Sequence, residues 1–254
     1  YDKAILEGLT PKAIISVDLF GLPARYRLID EFAKSKNLFL LEDAAQGFGG
    51  EIKNRKACTF GDVSSTSFFP AKPLGGYGDG GAIFTNNDEL AEKMLSIRVH
   101  GAGKDKYDNI RLGLNGRLDT LQAAILIEKL SIFDVELIMR NKIAKRYTNN
   151  LNSNFITPFV PKNYLSSWAQ YSLILENEEA RGRLIELLNK NKIPSMIYYK
   201  TPLHLQKVFK YLNYKKGNIP TSEKIANIVL SLPMHPYLKK TDQDFIINKL
   251  NAFS

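Results

Sequence analysis

The chain is poor in cysteine, histidine and tryptophan, and it has no long apolar run. Its single cysteine, Cys58, excludes a disulfide framework and a cysteine-only metal site. Of its three histidines, His100 sits beside Gly101 where a helix cap would fall, and His204 and His235 adjoin no obvious metal ligands, so both read as structural. No stretch approaches the roughly 20 apolar residues that span a bilayer, and the opening Tyr1–Ile5 does not resemble a signal peptide. The expectation is a soluble protein with the cytoplasm as its default compartment. Acid is in deficit: 26 Asp plus Glu stand against 35 Lys plus Arg, a net charge of +9. That surplus favours anionic partners, of which nucleic acid and a nucleoside diphosphate are two candidates. The basic residues are spread along the chain, densest at Lys207, Lys210, Lys215 and Lys216. Neither an RNA-binding aromatic signature nor zinc-finger spacing accompanies them. The plainer reading is a lysine-rich, solvated surface.

What is present is ordinary globular composition, 44% hydrophobic and 24% charged over 254 residues, enough for one large domain or one with a smaller appendage. The first two-thirds alternates short apolar runs with amphipathic stretches, the pattern of an α/β domain. Ala13–Val17 is a β-branched run closed by the turn signals Asp18, Gly21 and Pro23. Tyr26, Ile29, Phe32 and Ala33 then fall at helical spacing. Further strands are expected at Leu38–Leu41, Asp62–Phe69 and Ala82–Thr85, and Asn87 can cap a helix that ends near His100–Gly101. From Asp119 the texture predicts two long helices, the second over Ile138–Tyr147. After Leu151 it predicts an α+β region: a strand around Trp168–Leu175, a helix over Ala180–Asn191, a short extended piece at Tyr198 and Tyr199, and helices over Thr221–Leu230 and Thr241–Leu250. The expected division is residues 1–135 and residues 136–254.

Chemistry concentrates between Leu38 and Gly81. Glu42-Asp43-Ala44-Ala45-Gln46 directly follows an expected buried strand. In open α/β sheets ligands bind beyond the carboxyl ends of strands, so Asp43 is placed to face a ligand. Taken alone, an Asp after a strand is more often a turn former or helix cap. In Ser67-Phe68-Phe69-Pro70-Ala71-Lys72-Pro73 two prolines stiffen the backbone around an amine. Apolar surroundings depress such an amine's pKa toward nucleophilic use, although a lone lysine is ordinarily a surface residue. Ser67 could place a hydroxyl on a phosphate. Gly75-Gly76-Tyr77-Gly78-Asp79-Gly80-Gly81 permits close backbone approach, either as a phosphate cradle or as a tight turn into the next strand. It lacks the dinucleotide and Walker orders.

Together these segments resemble the DegT/DnrJ/EryC1/StrS sugar aminotransferases. Glu42–Gln46 is similar to that family's cofactor-nitrogen motif, and Ser67–Lys72 with Gly78–Ala82 to its lysine motif. The likeness continues through Arg98, His100-Gly101, Leu114–Ala124, Tyr198-Tyr199 and Pro202-Leu203-His204, nearly the whole chain. It implies a fold-type I pyridoxal-phosphate transferase: an incomplete large α/β domain with a mixed, mostly parallel sheet, then a smaller C-terminal α+β domain. It implies pyridoxal 5'-phosphate as cofactor, with Lys72 as Schiff-base lysine and proton shuttle. Asp43 would pair with the pyridinium nitrogen, Gln46 would lie on the ring's hydroxyl side, and Ser67 would bind the phosphate. Asn115 would reach the phosphate in a neighbouring subunit of a homodimer. Arg117 would face the sugar nucleotide there, or be a surface or structural arginine. Tyr198 and Tyr199 would line the sugar site, one of them in contact, because neighbours on an extended segment point to opposite faces. No metal and no membrane or nucleic-acid partner is implied.

The implied reaction moves an amino group from an amino acid, L-glutamate by resemblance, to a keto group of a nucleotide-linked sugar for bacterial surface polysaccharide. The likeness also implies that about a hundred residues of a usual member precede the equivalent of Tyr1, so the chain would be a shortened polypeptide or the product of a gene fragment. Two rival readings stand beside the enzyme. A sugar dehydratase of the same fold is disfavoured by Lys72, which in those relatives is a histidine. A cofactor-binding regulatory protein without turnover, or an inactive fragment, remains open.

Overall fold

The computed structural model describes residues 1–105 and 107–253. The chain divides into two compact units, residues 1–137 with 160–169, and residues 138–159 with 170–253.

After a short helix α1 (Asp2–Leu6), the first unit builds a sheet from β1 (Ala13–Val17), β2 (Phe39–Asp43), β5 (Val63–Ser67) and β6 (Gly81–Phe84), in that spatial order. The first three strands run parallel and β6 returns antiparallel. The sheet is thus mixed and mostly parallel, as expected. Helix α2 (Tyr26–Ser35) crosses from β1 to β2. Tyr26, Ala33, Leu38, Leu40 and Phe60 form a buried cluster with Ile14 and Ile29 packed on it. Burying each large apolar side chain of this kind contributes about 1.5–3 kcal/mol. A hairpin of β3 (Glu51–Ile52) and β4 (Arg55–Lys56) turns through Lys53 and Asn54, both with positive φ. β7 (Tyr164–Leu165) adds to that hairpin, pairing with β3.

The opposite face of the sheet carries Ile15, Val17 and Ile83, which are 66%, 46% and 58% exposed, in register with Leu41, Asp43 and Ser65. Helix α3 (Asp88–Arg98) is capped by Asn87, whose Oδ1 accepts the Leu90 N–H at 3.0 Å. Two expected helices after Asp119 are in fact one, α4 (Thr120–Asn150). Nothing between Ile132 and Ile138 breaks it, because that stretch holds neither proline nor glycine. Leu74, Leu126, Phe133 and Leu137 form a second buried cluster, joining α4 to the segment after Lys72.

In the second unit β8 (Tyr171–Ile174) pairs antiparallel with β9 (Val229–Leu232), accompanied by α5 (Glu178–Lys190), α6 (Pro220–Ile228) and α7 (Lys240–Asn251). Leu173, Leu184, Leu188, Leu230 and Leu250 are fully buried there. The helix expected over Thr221–Leu230 stops at Ile228, and the chain continues as the wholly buried strand β9. Val229 and Leu230 are apolar on either reading, and their partner strand decides the outcome.

Candidate active site

Strand alternation sends adjacent carboxylates to opposite faces of β2. Glu42 points into the protein and is fully buried. Its Oε1 accepts the Cys58 N–H at 2.6 Å, and its Oε2 accepts the Phe60 N–H at 2.7 Å and the Ser64 hydroxyl at 2.6 Å. A buried carboxylate needs that many donors to stay in place. Asp43 lies on the other face, half-buried, beyond the last apolar residue of the strand. Its Oδ1 accepts the Ala45 N–H at 3.0 Å, so it does form a turn, and Oδ2 has no hydrogen-bond partner among the described residues.

Lys72 sits in a turn in which its N–H donates to the Phe69 carbonyl at 2.8 Å. Partial burial lowers the pKa of its amine, and the Asp43 carboxylate opposes that shift by favouring the charged form. The amine and Asp43 therefore share one electrostatic environment. Ser67 ends β5 two residues beyond Ser65, the register partner of Asp43, which puts it on the same face. Its Oγ accepts the Phe69 N–H at 3.2 Å and keeps its own hydrogen to donate. Gln46, 5% exposed, accepts the Phe20 N–H on Oε1 at 2.6 Å. Asp43, Gln46, Ser67 and Lys72 thus all fall at or beyond the carboxyl ends of β2 and β5.

The glycine-rich stretch is a turn. A Cβ on Gly75 would lie 2.5 Å from the Pro70 carbonyl oxygen, and one on Gly81 would lie 2.6 Å from that of Thr66. Two residues of α4, neither expected from sequence as site residues, hold this turn. The Gln122 Oε1 accepts the Tyr77 N–H at 2.7 Å, and the Lys129 amine donates to the Gly75 carbonyl.

Asn115 and Arg117 stand exposed on the segment before α4, where the Arg117 Nε donates to the Asn115 Oδ1 at 3.0 Å. Among the described residues Arg117 has no carboxylate partner, and neither side chain bonds to Asp43, Ser67 or Lys72. Tyr198 and Tyr199 belong to the second unit and do not form the extended piece expected of them. They lie in a turn with a cis peptide bond between them, and their rings meet edge to face at 5.5 Å, so the expected opposite-face arrangement does not hold. His100 adopts positive φ just after α3, and the adjoining Gly101 N–H caps the helix by donating to the Ser96 carbonyl at 2.8 Å. His204 lies 3.0 Å from Glu223. No cluster of metal-ligating side chains occurs among the described residues, and no described helix is long and apolar enough to cross a membrane.

A half-buried lysine and a strand-end carboxylate thus share one end of a mostly parallel α/β sheet. Residues 3–251 match the DegT/DnrJ/EryC1/StrS aminotransferase family, and the chain belongs to it. It is 44% identical to the UDP-2-acetamido-2-deoxy-3-oxo-D-glucuronate aminotransferase of Pseudomonas aeruginosa, over 93% of this chain and 65% of that one. It is 42% identical to a pleiotropic regulatory protein of Geobacillus stearothermophilus, over 95% of this chain and 65% of that one. The chain therefore spans just under two thirds of the length of both relatives. A solved aminotransferase of this family from Brucella abortus superposes with a TM-score of 0.94 at 49% identity, covering 99% of this chain and 67% of the other. The cofactor that goes with the family is pyridoxal phosphate. The residues present fit it: an amine of lowered pKa, a carboxylate with one oxygen unengaged and a serine hydroxyl share one end of the sheet.

Proposed function

We propose that this chain is the larger part of an aminotransferase that moves an amino group from L-glutamate to a keto group of a nucleotide-linked sugar, in the synthesis of bacterial surface polysaccharide. The observation that carries the reading is the Lys72 amine, lowered in pKa by burial and electrostatically coupled to Asp43. Pyridoxal phosphate, when bound, would supply the electron sink that such a transfer needs. Lys72 would hold the cofactor covalently, and its amine would carry the proton to and from the reacting carbons. Asp43 would favour the protonated ring nitrogen with its unengaged oxygen, Gln46 would lie on the ring's hydroxyl side, and Ser67 would donate to the phosphate. Asn115 and Arg117 act on the cofactor and substrate of a partner subunit in a homodimer, and Tyr198 and Tyr199 line the sugar site. The uronate-sugar activity named for the Pseudomonas relative supports a nucleotide-sugar substrate. The basic surface, net charge +9, suits its diphosphate. The reaction belongs to the cytoplasm, where nucleotide sugars are made.

A regulatory protein without turnover is the second reading, favoured by the name of the Geobacillus relative. One experiment separates them. The cofactor-loaded protein is mixed with L-glutamate and followed by absorbance, beside Lys72→Ala. The aminotransferase loses its long-wavelength absorption on adding glutamate, and Lys72→Ala never shows that absorption. A spectrum that glutamate leaves unchanged supports the regulator, and an unaltered band in Lys72→Ala removes Lys72 from the site.

A further inference from the structure

Asp18 is the first residue beyond β1, and its N–H donates to the Asp43 carbonyl at 3.0 Å, extending the parallel register past Val17. Its side chain is fully buried. Oδ1 accepts the Tyr26 hydroxyl at 2.7 Å and the Ala24 N–H at 3.0 Å. Oδ2 has no hydrogen-bond partner. The segment after Asp43 closes over it so tightly that a Cβ on Gly47 would lie 2.4 Å from Oδ2. Two residues on, the Phe20 N–H reaches Gln46, so the turn that Asp18 anchors also orients the Gln46 amide.

The titratable groups facing Asp18 are Tyr26 from α2, Glu42 and Asp43 from β2, and Cys58 from the loop after β4. None is a cation. An ionised Asp18 would therefore place a third negative charge beside two carboxylates in a dry pocket, with one oxygen undonated.

We propose that Asp18 is a positioning residue of the site that serves as the neutral acid, fixing the β1–α2 turn under Gln46 while keeping extra negative charge away from Asp43. This rests on the reading of Asp43 and Gln46 as cofactor-side groups. Burial, which the Tyr26 and Ala24 hydrogen bonds only partly offset, pushes the Asp18 carboxyl up to about 7, with smaller upward pushes from Glu42 and Asp43. The proton is thus held in mildly acidic solution and released around pH 7. Release makes the end of β2 more negative and favours the protonated forms of whatever amine and ring nitrogen lie beside Asp43.

The test compares wild type with Asp18→Asn, Asp18→Leu and Tyr26→Phe. Wild type at pH 6 shows an infrared carboxylic-acid band that is absent in Asp18→Asn and converts to carboxylate by pH 8.5. Relative to Asp18→Asn, the wild-type folded state carries an acid whose pKa is raised from 3.8 to about 7. Its relative stability is full below pH 4, falls as pH rises to about 7, and is level above that, by up to about a thousand-fold in the unfolding constant. Tyr26→Phe removes a donor that favours the carboxylate, so the midpoint moves upward. Hydrogen exchange at the Phe20 amide quickens in Asp18→Leu and is restored in Asp18→Asn. In the cofactor-loaded protein the absorbance-against-pH profile has a step near pH 7 that Asp18→Asn lacks. An absent acid band, a flat stability difference from pH 4 to 8, an unmoved midpoint in Tyr26→Phe, or equal Phe20 exchange in the Leu and Asn variants overturns the proposal. Loss of lysine-bound absorption in every protein would defeat the cofactor reading alone, since the band, stability and exchange readouts need no cofactor.

Discussion

Glu42→Gln exchanges one oxygen of a buried carboxylate for an NH2 group and so tests what holds the floor of the site. Three donors converge on Glu42: the Cys58 and Phe60 N–H groups and the Ser64 hydroxyl. A glutamine has one acceptor oxygen. Its better orientation turns that oxygen to Phe60 and Ser64 and faces its NH2 toward the Cys58 N–H, donor against donor. The opposite orientation lets the Ser64 hydroxyl rotate to accept, but leaves the Phe60 N–H opposed. Either way one charge-assisted bond is lost, about 1.5–3 kcal/mol, and one buried donor goes unsatisfied, about 1–3 kcal/mol. The sum is about 2.5–6 kcal/mol, or roughly 70- to 25,000-fold in the equilibrium for opening the 57–60 loop. Cys58 reports that opening locally. It is the chain's single cysteine, it is 6% exposed, and its thiol is pushed up to about 12 by burial first and the Glu42 charge second. It therefore reacts with a thiol reagent only when the loop opens. Cys58 labelling in Glu42→Gln is expected to quicken by about two to four orders of magnitude at fixed pH, on the order set by that sum. Labelling within about twofold of wild type would show that the three bonds do not hold the loop and would refute the reasoning.

Asp43→Asn, one residue on, should behave in the opposite way. Its unfolding midpoint and Cys58 labelling stay near wild type, while turnover with glutamate falls by at least about a hundredfold because a neutral amide no longer favours the protonated ring nitrogen. Near-normal turnover would leave Asp43 as a turn residue only. For the shared site, Lys72→Ala and Arg117→Ala are each expected to be nearly inactive. Random re-pairing at equal amounts makes half the dimers hybrid, each with one site that has both residues intact, so about a quarter of all sites should work. A co-refolded mixture as inactive as its parents, with hybrids demonstrated, would return Arg117 to its own chain's site or to none.

Local signals carried the α/β half of the chain. The run Ala13–Val17, the turn residues after it, the helical spacing from Tyr26 and the apolar Leu38–Leu41 each point the same way, and the structure follows them within a residue or two. The failures are where two periods fit the same residues. The two helices expected after Asp119 are one, because the stretch between them holds neither proline nor glycine to stop α4. Val229 and Leu230 extend an apolar helix on paper, and only pairing with β8 makes them a strand. Within the site, the motif segments marked Asp43, Gln46, Ser67 and Lys72. The donors that converge on Glu42 come from 16 to 22 residues away, and that spacing carries no pattern. Asp18 was legible only as a turn signal, because nothing in a sequence says that Tyr26 and Gly47 will seal its carboxyl from water. Gln122 and Lys129 were read as part of a helix. Their grip on the glycine turn, 45 and 54 residues earlier in the chain, is purely a product of packing.

The alternation of β2 also dictates which changes this stretch can tolerate. Glu42 and Asp43 are joined by one peptide bond, yet one is sealed beneath the sheet and the other lies half-buried on the opposite face. Substitutions at either position act separately. Inserting or deleting a single residue anywhere in Phe39–Leu41 acts on both at once, because it turns every later side chain of the strand over. The carboxylate of Glu42, held by three buried donors, would emerge on the opposite face, and that of Asp43 would be driven into the Tyr26–Phe60 cluster. The distance from Phe39 to Asp43 is therefore counted in pairs, and variation in length should be confined to the loops on either side.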